Sequence, residues 1–309
     1  MVRSALAQIA VLPGQPKKNA EKMLVKMEEA KRMGADILVF PEYALSGNLL
    51  GTLQEDSGFL DDCVYWGEKI MEASFGIGVV FGNLDSLGNS ILWACSEGKV
   101  AYRCGYGGYC VGDFAGGSTI SFSLGAVPVL QQKADLHIHL GNTPYSLHGQ
   151  EHHSLFCASA AKSFAIPLVY VGAAGLQDTG KKVYVLDGKS SFYNENGERV
   201  VSAATFSEGM LFCDAAEGRK GVVVSKENAT AGLYEALVYA IARFSQTCNL
   251  TKVVIGLSGG IDSAVAACLY TAALGPDNVR GVNMPGPFSS ATTKEIAAQL
   301  AQNLGIDYR

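Results

Sequence analysis

Residues 253–264, "VVIGLSGGIDSA", carry an apolar run into a glycine-serine turn and on into a helical pattern. The strand ends at Leu257, and Gly259 and Gly260 let the backbone turn tightly and approach an anion with no Cβ in the way. Ser263 opens a helix whose free N–H groups and positive dipole end would face a pyrophosphate, with the hydroxyls of Ser258 and Ser263 as added donors. Asp262 would repel phosphate unless Mg²⁺ lay between them, so its presence points to a metal-nucleotide. The spacing differs from GxxxxGK[ST], which disfavours a Walker-type kinase or ATPase, and an ordinary glycine-rich turn with a serine cap is the plain alternative. A second constellation is "HIHLGNTPYSLHGQEHH" (137–153), which holds all 5 histidines. His137 and His139 would share one face of a strand, with His148, Glu151, His152 and His153 following. That arrangement could ligate Zn²⁺; otherwise the first pair is half-exposed and the last caps a helix.

The elements that must position these residues follow from periodicity. Residues 3–11 alternate as a strand, 19–34 have helical spacing, and 36–40 form a short buried strand followed by the loop "PEYALSGN" (41–48). A helix over "FLDDCVYWGEKIMEASF", a strand over 76–85 and a strand–turn–strand over 90–103 come next. The glycine-rich stretch 104–125 reads as an extended surface loop. Beyond it come a strand at 134–142, a helix at 152–165, one buried strand at 166–176, a hairpin at 189–204 with Asn196-Gly197 at its tip, and a strand near 209–213. Residues 206–230 show little other periodicity and mark a domain boundary. After it, helix 231–248, strand 252–257, helix 263–274, strand 278–284 and helix 291–304 predict a parallel sheet.

Composition narrows the function classes. The chain has 309 residues, 48% hydrophobic and 17% charged, as in a globular protein. A net charge of −5, without a basic run, argues against nucleic-acid binding. Charges interrupt every apolar stretch, so no membrane span is expected, and the N-terminal apolar stretch is too short and polar for a secretory signal. The 8 cysteines include no CxxC pair and read as reduced thiols of a cytoplasmic protein.

The loop "SGGIDSA" after an apolar strand resembles that of the N-type ATP pyrophosphatases, and its surroundings, through "MPGPFSS", are similar to NAD⁺ synthetase. The resemblance implies ATP phosphates at Ser258, Gly259, Gly260, Asp262 and Ser263, Mg²⁺ near Asp262, and adenine against Met284, with Ser289–Ser290 starting the next turn. The first two-thirds of the chain resemble the nitrilase superfamily, which supplies the glutaminase domain of glutamine-dependent NAD⁺ synthetases. "ALAQIAVLPGQPKKNAEKM", "GADILVFPEYALSGN", "ADLHIHLGNTPYS", "IPLVYVGAAGLQD" and "SSFYNENGERV" carry that likeness.

The nitrilase chemistry uses a Glu base, a Cys nucleophile and a Lys at the oxyanion. Glu42 fits the first role. No lysine occurs between Lys99 and Lys133, and no cysteine between Cys110 and Cys157, where the family expects the other two. Arg103 could replace the cation and Cys110 could be a displaced nucleophile, and the helix expected after the cysteine is largely deleted. The substrate-binding pattern with Lys and Arg has become "TPYSLHGQEHH".

The expectation is an α/β protein: a nitrilase-like αββα sandwich over 1–214 with an inactive glutaminase site, a linker over 215–230, and the beginning of a Rossmann-like parallel-sheet ATP-pyrophosphatase domain over 231–309. The implied reaction adenylates deamido-NAD⁺ with Mg-ATP, and ammonia then displaces AMP; a homo-oligomer is expected. About two βα units are present, so these residues form the front portion of the enzyme and should not catalyse alone. The rivals are a metal-dependent or residual amidohydrolase using the His137–His153 region, and a non-catalytic scaffold.

Overall fold

The computed structural model describes residues 2–125, 133–147, 149–178, 182–214, 228–286 and 290–309. The chain divides into two compact units, Met1–Lys226 and Glu227–Arg309.

In the first unit the elements run β1 (Arg3–Gln8), α1 (Pro16–Arg32), β2 (Ile37–Val39), α2 (Ser57–Glu72), β3 (Gly78–Leu84), β4 (Ser90–Ser96), β5 (Lys99–Gly105), β6 (Tyr109–Phe114), β7 (Ser118–Leu124) and β8 (Leu136–Gly141). They continue with α3 (Gly149–Phe164), β9 (Leu168–Gly172), β10 (Ala174–Asp178), β11 (Val183–Asp187), β12 (Ser191–Tyr193), β13 (Arg199–Ser202) and β14 (Gly209–Asp214). Two six-stranded sheets result, ordered β14-β1-β2-β3-β4-β5 and β13-β12-β9-β8-β7-β6, with β10 and β11 as a separate ribbon.

Burial shows why these strands stack. Leu6, Ile37, Val39, Val80 and Leu92 on one sheet meet Ile120, Phe122, Ile138, Leu140 and Val169 on the other, forming a shared apolar layer. The opposite face of the first sheet packs against α1, whose Ala20, Met23, Met27 and Ala30 recur at helical spacing. Pro16 starts that helix, where a missing N–H costs nothing. Asp56 caps α2 by accepting from the Phe59 N–H at 2.7 Å. On the outer face of the second sheet, Cys157 and Ala161 of α3 cover Leu168, Tyr170 and Tyr193. The layers are helix–sheet–sheet–helix.

Two expectations are corrected. Residues 104–125 are not a surface loop: β6 and β7 form an antiparallel hairpin, and β7 pairs in parallel with β8 inside the second sheet. The glycines around 105–108 mark only the bend before it, and the serines that made β7 look polar are buried against histidines. The single strand expected over 166–176 divides at Ala173 into β9 and β10, and β10 pairs with β11, which lay outside every expected element.

In the second unit α4 (Ala229–Thr247), β15 (Val253–Gly256), α5 (Ile261–Leu274), β16 (Val279–Val282), α6 (Ala291–Leu304) and β17 (Asp307–Tyr308) follow one another. The three strands are parallel in the order β15-β16-β17, with Leu257, Ala267, Val279, Ala297, Ala301 and Ile306 at the core. Asn228 caps α4, and Ser290 caps α6. No helix among the described residues is long and apolar enough to cross a membrane.

Candidate functional sites

The loop between β15 and α5 is built around Gly259. Its φ is +81°, and a Cβ there would lie 2.3 Å from the Thr293 carbonyl oxygen in the first turn of α6. Backbone conformation and close approach both require glycine. Ser258 Oγ accepts from the Gly260 N–H at 3.2 Å, and Ser263 Oγ donates to the Gly260 carbonyl at 3.0 Å. The two hydroxyl oxygens lie 3.2 Å apart. Helices α2, α4 and α6 have a side-chain N-cap, whereas α1, behind Gln15, and α5, behind Gly260, have none. The first-turn N–H groups of α5 thus have no side-chain acceptor, which suits an anion. Asp262 is exposed in that turn. Met284, two residues past β16, is 79% exposed and sits near Gly256. Six of the sequence-identified residues therefore gather at one loop or beside it; Ser289 lies outside the described residues.

Glu42 follows the end of β2, where the Phe40 N–H donates to the Val80 carbonyl at 2.8 Å and the Gly82 N–H to the Pro41 carbonyl at 3.1 Å. A Cβ on Gly82 would come within 2.6 Å of Glu42 Cα, so the chain crosses β3 there at close range. The next residue, Tyr43, has φ +54°, a left-handed conformation that costs a non-glycine residue about 1–2 kcal/mol. Glu42 is buried, and its Oε1 accepts from Ser90 Oγ at 3.0 Å. Burial raises its carboxyl to about 7, with hydrogen bonds from Ser90 and Tyr43 opposing the shift. Burial, and then the Glu42 charge, push the Tyr43 phenol up to about 12.

Glu42 lines a cavity of about 240 Å³ with Tyr43, Asn48, Tyr106, His139, Asn142, Thr143 and His153. Among the described residues lining it there is no cysteine, lysine or arginine. Arg103 instead stacks over the Trp93 ring at 4.1 Å, and Cys110 lies on β6, so neither supplies the missing groups. A carboxylate alone can take a proton, but it cannot form an acyl-enzyme or hold an oxyanion.

His137 and His139 are fully buried, correcting the half-exposed alternative. The β7–β8 register sets Ser121 beside His137 and Ser123 beside His139. His137 Nδ1 lies 2.8 Å from Ser121 Oγ, and Nε2 lies 2.8 Å from Ser123 Oγ. Ser123 Oγ also meets His139 Nδ1 at 2.9 Å. Both ring nitrogens of His137 are thus engaged by hydroxyls and turned away from metal ligation. Among the described residues no group of three or more His, Cys, Asp or Glu is placed to hold a metal ion. Burial depresses His137 to about 3 and His153 to about 4, and holds His139 well below its usual value, so all three are neutral near pH 7. His148 lies outside the described residues, and His152 is exposed. Ser121, Ser123 and Asn142 were missed as site residues; the alternating serines of "SFS", matched to the "HIH" period, were the available signal.

Residues 233–309 match the NAD synthase family. A glutamine-dependent NAD(+) synthetase from Synechocystis is 28% identical over 99% of this chain and 64% of its own length. One from Aquifex aeolicus is 27% identical over 100% of this chain and 65% of its own. Among solved structures, the Acinetobacter baumannii glutamine-dependent NAD+ synthetase, in complex with ADP, superposes with a TM-score of 0.87 at 24% identity, over 99% of this chain and 64% of that one. An amidase of the nitrilase superfamily from Nesterenkonia superposes with a TM-score of 0.58 at 17% identity, covering 68% of this chain and 89% of its own. The chain therefore joins a nitrilase-like sandwich to a Rossmann-like unit, resembles glutamine-dependent NAD⁺ synthetases along its whole length, and spans just under two thirds of the length of these relatives.

Proposed function

We propose that these residues are the front portion of an NAD⁺ synthetase that forms its amide from ammonia rather than glutamine. The uncapped α5 N-terminus behind Gly259, within the segment matching the NAD synthase family, carries the reading. ATP fits there: the backbone N–H groups of residues 261–263 and the hydroxyls of Ser258 and Ser263 would hold its phosphates, and Met284 would lie against its adenine. Asp262 would hold Mg²⁺, which would offset phosphate charge.

In the reaction the carboxylate of deamido-NAD⁺ attacks the α-phosphorus of ATP and pyrophosphate leaves. Ammonia then attacks the acyl carbon, AMP departs with the bonding electrons, and the nitrogen loses a proton to give the amide. This chain's loop orients the pyrophosphate leaving group and stabilises its charge. Among the described residues lining it, the Glu42 cavity holds no cysteine, lysine or arginine, which supports ammonium over glutamine as the nitrogen source. Cytoplasmic residence and homo-oligomeric assembly belong to the same proposal.

Calorimetric titration of the 309-residue chain with Mg-ATP tests the loop assignment. Saturable binding is expected, lost in Gly259→Ala; equal binding by that variant would refute it.

A further inference from the structure

The described residues lining the Glu42 cavity include no nucleophile or cation for amide cleavage, yet the lining is not inert. Asn142 is only 8% exposed, and both its amide oxygen and its amide nitrogen are buried without a protein partner. Leaving such a group unsatisfied costs about 1–3 kcal/mol, which contact with a polar occupant of the cavity would offset. At about 30 Å³ per water, the cavity of about 240 Å³ has room for roughly eight. A small ion can therefore enter with part of its hydration shell.

The hydrogen-bond chain behind the cavity fixes what His139 offers. Ser121 Oγ lies 3.4 Å from the Leu136 carbonyl, which can only accept. One orientation uses all four contacts of the chain. Ser121 donates to Leu136, His137 Nδ1–H to Ser121, Ser123 to His137 Nε2, and His139 Nδ1–H to Ser123. In the reverse orientation the Leu136 contact is lost. The favoured arrangement leaves His139 Nε2 unprotonated, an acceptor nitrogen on a residue that lines the cavity. The cavity thus combines an acceptor nitrogen, the Asn142 amide oxygen and the Glu42 carboxyl, and no cation among its described residues. The other titratable groups facing it are Tyr43, Tyr106 and His153.

We propose that this cavity binds ammonium, or the –NH₃⁺ head of a small primary amine, through Glu42, Asn142 and His139. Anions are disfavoured because no Lys or Arg among the described lining residues is there to balance them. K⁺ has a similar charge and size but takes oxygen ligands, whereas an N–H donor suits the imidazole lone pair. A bound cation would also relieve the buried Glu42 charge. The proposal rests on the ammonia reading only for the purpose of the site, because binding needs neither ATP nor turnover.

The test is NMR of the histidine ring nitrogens in the 309-residue chain, titrated at constant ionic strength with ammonium, methylammonium or potassium chloride at about pH 8, where Glu42 is ionised. Saturable shifts of the His139 ring are expected with ammonium and absent with potassium. Response to methylammonium as well assigns the site to primary amines in general; ammonium alone restricts it to the free ion. Glu42→Gln should weaken binding by at least ~10-fold. Asn142→Leu, which replaces an unpaired amide by a side chain of similar size, should do the same while folding normally. No saturable shift, an equal response to potassium, or undiminished binding in either folded variant overturns the proposal. Failure of NAD⁺ synthesis alone would leave it standing.

Discussion

A Cβ added to Gly259 would lie 2.3 Å from the carbonyl oxygen of Thr293, so the α6 turn closes over the β15–α5 loop where only glycine fits. Gly259→Ala must also adopt φ near +81°, strained by about 1 kcal/mol, and must move Thr293. Its Mg-ATP affinity should fall by more than ~10-fold, about 1.4 kcal/mol, with the near-ultraviolet signal of the nitrilase-like unit unchanged. Calorimetry and circular dichroism check both halves of this expectation.

Ser263 holds the same loop from the helix side by donating to the Gly260 carbonyl. Ser263→Ala removes the hydroxyl whose single proton serves that carbonyl in the free loop and would turn to a phosphate oxygen on ATP binding, a contact worth about 1–2 kcal/mol. A loss of roughly 5–30-fold in ATP affinity is expected, with thermal unfolding nearly unchanged. An unaltered affinity would place the phosphates elsewhere.

Glu42 and the buried histidines make opposite contributions to acid–base stability. The folded Glu42 carboxyl is raised from 4.5 to about 7, so the native state holds more protons than the unfolded chain between those values. Its contribution is therefore fully present below about 4.5 and lost as pH rises through 7, by about 3 kcal/mol. Glu42→Gln should unfold at higher denaturant than wild type at about pH 8 and show little gain near pH 5. Ammonium must be left out of these buffers, since it would mask the difference.

For His137 the sign is reversed, because burial lowers it from 6.5 to about 3. The unfolded chain takes up protons first, so stability is complete above 6.5 and falls as pH drops toward 3. Ser123→Ala leaves His137 Nε2 and His139 Nδ1 without their shared hydroxyl, two unmet buried groups at about 1–3 kcal/mol each. Chemical denaturation at neutral pH should show a loss of roughly 2–5 kcal/mol. A loss below about 0.5 kcal/mol would mean the chain is rebridged by water.

Much of this was legible because local signals agreed with the fold. The SGGIDSA turn, the α1 periodicity and the Asn196-Gly197 hairpin, which pairs β12 with β13, each owe their form to residues close in sequence. The serines of β7 were legible only as a period-two pattern, since their histidine partners lie on β8, 14–16 residues away, and a polar strand reads as a loop until those histidines are placed. Asn142 has the same difficulty: nothing beside it in sequence shows that its amide is buried and unpaired. The missing lysine and cysteine could be read from sequence, but the character of the cavity left behind required the two sheets to be assembled.

The nitrogen source is the most direct test of the account. The complete protein from its native host would be given deamido-NAD⁺ and Mg-ATP with either ¹⁵N-ammonium or amide-labelled ¹⁵N-glutamine. Label should enter the NAD⁺ carboxamide from ammonium and not from glutamine. Incorporation from glutamine, abolished by Glu42→Ala, would contradict the account, and so would the absence of NAD⁺ from both donors.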